Sequence, residues 1–274
     1  MQVFDGYYTI DGAGVRLFRI FANDTVKITD PFLLLDCFGS DEQKDYIKGF
    51  PWHPHRGIET VTYVLKGDVE HQDSLGNKGI ISSGDIQWMS AGSGIIHQEM
   101  PQGPDGMKGF QLWINMPSNK KMNPPRYREL KEEHIPTIKN KDMEIRIIAG
   151  NYNKKKSPLK EMVLDVTYLD ITLLHKQTFE YNLEEYYAKD HTVLCLVIEG
   201  EGVFESKKLV EKKLLLLKDI KKLSVNTAKR LRFLLIHGKP LKEPIAWGGP
   251  IVMNTQEELR EAFSELNDGT FVKK

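Results

Sequence analysis

Apolar and polar residues alternate with a period of two along most of this chain. VRLFRIF, ETVTYVLKG and GFQLWINMP in the first half show it, as do LDVTYLDITLL, HTVLCLVIEGEGVF and RLRFLLIHG in the second. Such alternation marks strands with one buried and one wetter face. PFLLLDCFG reads instead as a strand buried on both faces. Clusters such as GAG, NDT and SLGNKG separate the runs and read as turns. Only the end of the chain changes period. Thr255 and Glu258 form a capping box ahead of Leu259, Phe263 and Leu266. This predicts a helix over 256–267, stopped at Asn267 to Gly269 and packed on a barrel.

Residues 117–140 are rich in Pro, Lys and Asn and poor in apolar residues. They predict a first domain over 1–125, a connector over 126–140 with a short helical turn near RELKEE, and a second domain over 141–274. The two halves resemble each other, VTYVLKGDVEH against VLCLVIEGEGVF and IISSGDI against LLLLKDI, which points to an internal duplication.

The length, 274 residues, suits one large or two ordinary domains. Charge balances at 38 Lys+Arg against 38 Asp+Glu, so no basic excess argues for nucleic-acid binding. The run KKK at 154–156 reads as a solvated loop. Cys37 and Cys195 lie one in each half and read as free thiols. The N-terminus lacks the basic-then-apolar order of a leader, and no apolar run approaches the roughly 20 residues that span a bilayer. A soluble cytoplasmic protein is expected, with neither nucleic acid nor membrane as a partner.

The chemistry concentrates between Gly49 and Glu99. His53 and His55 open this stretch, and His97 and Glu99 close it. Residues two apart on a strand share a face. Two such strands facing a barrel interior bring three imidazoles and one carboxylate to one point, a donor set for a metal. Pro54 removes a ladder donor and favours an edge strand, a strand start or a bulge. Glu59 shares the face of His53 and His55 if the strand runs unbroken. Phe50, Trp52 and Met89 are candidate walls of an aromatic pocket. Aligning Gly67 with Gly200 puts Tyr186 and Ala188 opposite His53 and His55, and aligning Asp85 with Asp219 puts Leu231 and Phe233 opposite His97 and Glu99. The second half therefore keeps the strand pattern without the ligands. His175, His191 and His237 read as structural or surface residues.

Gly49…His53-Pro54-His55-x3-Glu59-x7-Gly67, followed by Gly84 to His97, resembles the two motifs of the cupin superfamily. DPFLLLDCFG, FPWHPHRGIETVTYVLKGDVEHQDSLGNKG, GDIQWMSAGSGIIHQEMP, GFQLWINMP and EPIAWGGPIVMNTQEE resemble the pirin family within it. The resemblance implies an all-β bicupin, two antiparallel jelly-roll barrels with a C-terminal helix and one metal in the N-terminal barrel. It implies His53, His55, His97 and Glu99 as ligands, with Glu59, the usual cupin carboxylate position, holding a ligand imidazole by a hydrogen bond. The ion expected is Fe(II), with Mn, Co, Ni or Zn also suited to such a donor set. The activity implied is that of a quercetin 2,3-dioxygenase, which cleaves a flavonol with O₂, Glu99 doubling as catalytic base. The other activity known in the family is metal-dependent binding that modulates a transcription factor or metabolic enzyme without turnover.

Overall fold

The alternating runs form antiparallel strands in a computed structural model, which describes residues 1–186 and 190–273. The chain divides into two compact units. The first, called N-terminal below, comprises Tyr7–Glu132 together with Leu241–Lys274, and the second comprises Glu133–Pro240 with Met1–Gly6. The sequence boundaries placed the last segment with the second barrel. The reason for the difference is packing: the C-terminal residues Ala246, Ile251, Met253, Leu259, Ala262 and Phe271 bury one another with Ile96 of the first unit. The expected connector is also shared out. Arg126–Leu130 is a strand paired with Ile86–Ser90, a 3-10 turn occupies Glu132–His134, and Thr137–Lys139 pairs in the second unit.

The N-terminal unit is a jelly roll of two sheets. Seven strands run in the order Arg126–Leu130, Ile86–Ser90, Ile58–Lys66, Lys108–Asn115, Phe32–Phe38, Val15–Phe21 and Tyr7–Asp11. Four run in the order Phe50–His55, Ile95–Gln102, Asp68–Asp73 and Lys78–Ile81. Thr62 of the larger sheet bonds Glu99 of the smaller, so their inner faces meet. Pro54 sits on the edge strand of the smaller sheet, where a missing N–H is tolerated.

The second unit repeats this order strand for strand. Leu214–Leu217, the start of Thr192–Phe204, Leu231–Gly238 and Val166–Leu173 pair in the larger sheet. Gln177–Asn182, Lys222–Thr227, the end of Thr192–Phe204 and Lys207–Val210 form the smaller one. The sequence offsets therefore slip by one strand. The counterpart of the His53 strand is Gln177–Asn182, and that of the His97 strand is Lys222–Thr227, because these two pair as their counterparts do. Leu231 and Phe233 belong to the counterpart of Lys108–Asn115. Phe179, Tyr181, Leu223 and Val225 lie on these counterparts of the ligand-bearing strands and are buried in the apolar core. Tyr186 ends a 3-10 turn, and Ala188 lies outside the described residues.

The helix is Gln256–Asn267, with both halves of the capping box made: Thr255 Oγ1 accepts from the Glu258 N–H, and the Glu258 carboxylate accepts from the Thr255 N–H. Leu259 and Ala262 are the buried positions, while Phe263 stays half-exposed. Thr255→Ala is expected to weaken this helix by ~1 kcal/mol. Hydrogen exchange at the first-turn amides, Glu257 to Leu259, should quicken accordingly, with the strand amides of the second unit unchanged.

Candidate metal centre

Register builds the site. In an antiparallel ladder, directly opposed residues point to the same face. His97 opposes His53 on one side and Asp73 on the other, and Glu99 opposes His71. A register shift between His97 and Glu99 puts Glu99 opposite Phe50. His53, His97, Glu99, His71 and Asp73 thus share the inner face, with His55 two residues from His53.

The ligand nitrogens of His53, His55 and His97 lie within 4.8 Å of one another. Their rings are 4.3 to 5.0 Å apart, centre to centre. His53 Nδ1 lies 2.9 Å from the Pro51 carbonyl, and His55 Nδ1 lies 3.0 Å from the Pro250 carbonyl. A carbonyl only accepts, so both Nδ1 atoms carry the proton and both Nε2 lone pairs remain for a ligand. Neither ring nitrogen of buried His97 has a hydrogen-bond partner. An imidazole buried with no partner is costly unless an ion takes its lone pair. The residues fit a divalent metal on that ground.

Electrostatics agree. Burial, reinforced by the neighbouring imidazoles, holds His55 down to about 3 and His97 well below its ordinary value. Burial also lowers His53. All three are neutral at pH 7, the state a metal requires. Burial pushes Glu99 up to about 7, against the pull of its bond from Thr62. A cation beside it would reverse that shift by favouring the charged form.

Glu99 lines the same cavity as His53 and His55, while the group of donors within 4.8 Å comprises the three histidines alone. Thr62 Oγ1 lies 2.9 Å from Glu99 Oε1 and 2.6 Å from Gln111 Oε1. One hydroxyl proton cannot serve both acceptors. The network closes when the Gln111 amide presents its N–H to Thr62, and Thr62 donates to Glu99.

Glu59 does not share this face. The strand breaks at Gly57, whose φ is +78°, and a Cβ there would meet the Val252 carbonyl at 2.0 Å. Beyond the break, Glu59 opposes Ile114 and Ser90, whereas Thr60 and Thr62 oppose Trp113 and Gln111, which line the cavity. The Glu59 carboxylate accepts from Ser90 Oγ and, at 3.3 Å, from Arg128 Nη2. Its expected part in holding a ligand imidazole gives way to this pairing on the other side of the sheet.

Two compartments meet at His53 and His55. The inner one is walled by Leu17, Phe38, Val69 and Met107. The outer one, an open cavity of about 660 Å³, is walled by Phe50, Trp52, Trp113 and Trp247. Trp113 stands edge-on to His55 at 5.0 Å and stacks on Trp247 at 5.9 Å. Phe50 and Trp52 are where the sequence placed them. Met89 is not, since it packs with Leu33, Ile58, Ala91, Ile95 and Val252 in the core behind. Arg19 crosses both compartments, its fork bonded to Asp36 at 2.9 and 2.8 Å and to Asp11 at 2.8 Å.

Sequence reasoning missed His71, Trp113 and Trp247. His71 is buried, its ring 5.4 Å from that of His97 and stacked on Tyr127 at 4.9 Å. Its Nε2 lies 3.5 Å from Asp73 Oδ2. The alternation in DVEHQD could have flagged it, since His71 and Asp73 fall on one face. In the second unit, His237 Nε2 pairs with Tyr181 Oη at 2.8 Å and its Nδ1 with His191 Nδ1 at 3.0 Å, and His175 pairs with Asp142. Cys37 and Cys195 are both outside any disulfide among the described residues.

Acid and base should act on the metal-free fold in opposite directions. Between His55's folded value of about 3 and its ordinary 6.5, the unfolded chain holds the extra proton. Stability is therefore lost as pH falls through that window. Between Glu99's ordinary 4.5 and its folded value of about 7, the folded state holds the extra proton, so stability is lost as pH rises. All four tryptophans lie in the N-terminal unit, so their fluorescence follows its unfolding. With chelator present, His55→Gln should lessen the slope of the acid limb, which His53 and His97 share, and Glu99→Gln that of the limb from 4.5 to 7. Each residue should contribute up to about 1.4 kcal/mol per pH unit within its window.

The family model described as pirin matches residues 14–114, and that described as the pirin C-terminal cupin domain matches 168–272. A pirin-like protein of Caulobacter vibrioides is 38% identical over 274 residues, covering 99% of this chain and 98% of the relative. The crystal structure of a quercetin 2,3-dioxygenase from Acinetobacter baumannii superposes with a TM-score of 0.89 at 32% identity, covering 99% of this chain and 97% of that one. A bacterial pirin from Escherichia coli, solved in complex with nickel(II), shares the fold with a TM-score of 0.69 at 20% identity, over 87% of this chain and 99% of that one. No helix among the described residues is long and apolar enough to cross a membrane. With both halves matched and the histidine cluster set inside the first jelly roll, the chain belongs to the pirin family of the cupin superfamily.

Proposed function

We propose that this chain is a metal-dependent dioxygenase that opens the oxygenated ring of a flavonol such as quercetin, with Fe(II) as its ion. The observation that carries the reading is the meeting of three neutral imidazoles with an aromatic-walled cavity on one inner face. A volume of about 660 Å³ lies within the range of small-molecule sites. The relatives give it context, one solved as a quercetin 2,3-dioxygenase and another holding nickel(II).

In this reading His53, His55 and His97 hold the ion through nitrogen, and Glu99 completes the set by turning from Thr62. A divalent metal held there would supply Lewis-acid chemistry toward a substrate oxygen. Every other task falls to the chain. The carbonyls of Pro51 and Pro250 hold the His53 and His55 rings in orientation. Phe50, Trp113 and Trp247 present flat apolar faces against which a planar ring stacks, and they exclude water from it. Glu99, ionised beside the cation, would accept the 3-hydroxyl proton on swinging away from the ion. Arg19, fixed by Asp11 and Asp36, stands at the wall as a donor to substrate oxygens.

Protein loaded anaerobically with Fe(II) should consume O₂ when quercetin is added and bleach its visible band. His97→Ala should abolish both and weaken metal binding, whereas Glu99→Gln should lower kcat by about 10²–10⁴-fold. A loaded protein that leaves quercetin and O₂ untouched contradicts the reading.

A further inference from the structure

Each ligand imidazole is oriented differently. His53 leans on a carbonyl two residues away, and His97 on packing alone. His55 leans on Pro250, 195 positions further along the chain. The residues after His55 are gripped by the same distant segment. Val252 N–H donates to the Arg56 carbonyl at 3.1 Å, and Arg56 bridges Ile251. The buried Arg56 guanidinium sends Nη2 to Glu265 at 2.6 Å and to the Phe271 carbonyl at 2.9 Å, with its charge over the Phe271 ring.

At the centre of this grip is Lys121, 1% exposed. Its Nζ donates to the Gly57 carbonyl at 2.8 Å, to Asn115 Oδ1 at 2.7 Å and to the Val252 carbonyl at 2.8 Å. An ammonium has three protons, and all three are used. Burial lowers the pKa of Lys121 to about 7, against the pull of the Glu243 and Glu258 carboxylates. The amine ties the bend after His55 to the strand that follows Pro250. Gly57 allows the approach, because any Cβ would strike the Val252 carbonyl.

We propose that the C-terminal segment Ala246–Phe271 is the clasp that orients the metal ligand His55, with Lys121 as the positioning residue that holds it. The Pro250 carbonyl keeps the proton on His55 Nδ1, which leaves Nε2 aimed at the ion. Divalent-cation affinity and docking of the chain's end are then one linked equilibrium, each strengthening the other. This rests on the metal-site reading above, since the clasp matters only if His55 is a ligand. Orienting partners of ligand histidines typically contribute 10–100-fold in metal affinity.

The test uses the full chain, first metal-free and labelled with ¹⁵N-histidine. Wild type should show His55 as the Nδ1–H tautomer in long-range ¹H–¹⁵N spectra. Lys121→Met keeps an unbranched apolar stem one atom shorter and removes all three bonds. It should shift His55 to a tautomer mixture and weaken Ni(II) binding, measured against a competing chelator, by about 10–100-fold. Should that variant fail to fold, Glu265→Ala removes this acceptor of Arg56 at a partly exposed position and should move the same two readouts in the same direction by less. His53 should keep its tautomer in both, a distinction general destabilisation would not produce. A pure Nδ1–H tautomer at His55 with Ni(II) affinity within about twofold of wild type in a folded variant overturns the clasp. Wild type that binds no Ni(II), while His55 still loses its tautomer in Lys121→Met, overturns the metal reading and the linkage to the cation, and leaves only the orientation of the His55 ring by the C-terminal segment.

Discussion

The cross-strand pair of His97 with His53 is the constraint on which the site depends. A one-residue slip of either strand would send one of these imidazoles to the far face. Ile95–Gln102 is held against that slip on both sides, by its ladder with Phe50–His55 and its ladder with Asp68–Asp73. The register of the metal centre is thus enforced by pairing with two neighbouring strands. The lost hydration of the imidazoles is the cost, and it appears as three depressed pKa values.

The rest of the N-terminal unit can be read as support for that pair. Each sheet supplies one half of the cavity: donors from the smaller, and Thr62, Gln111 and Trp113 from the larger. Gly57 breaks the chain between His55 and Ile58, so that one run of sequence serves both sheets. The C-terminal segment closes over this bend. Its tie to Arg56 and Lys121 gives a reason why these residues pack with the first unit although they follow the second in sequence.

Much of this was legible beforehand. The period of two announced an all-β chain, Thr255 and Glu258 announced the helix, and the spacing of His53, His55 and His97 announced a histidine cluster able to hold a metal. What escaped the sequence depended on contacts between distant residues. Glu59 was misplaced because a bend at one glycine resets the parity of everything after it. The duplication offsets slipped because linear alignment cannot see which strands pair. Trp247 and Pro250 were invisible as site residues because only the fold returns them to His55. His71 carried a local signal in its alternation with Asp73, but no spacing rule linked that pair to His97.

The central claim is that three imidazoles and a carboxylate from two paired strands surround one divalent ion. X-ray absorption at the metal edge of Ni(II)- or Fe(II)-loaded protein tests it most directly. The account expects a shell of nitrogen and oxygen with outer-shell scattering from three imidazoles, falling to two in His97→Ala if the weakened site still retains the ion. A shell containing sulfur, or an imidazole count that His97→Ala leaves unchanged, would contradict it.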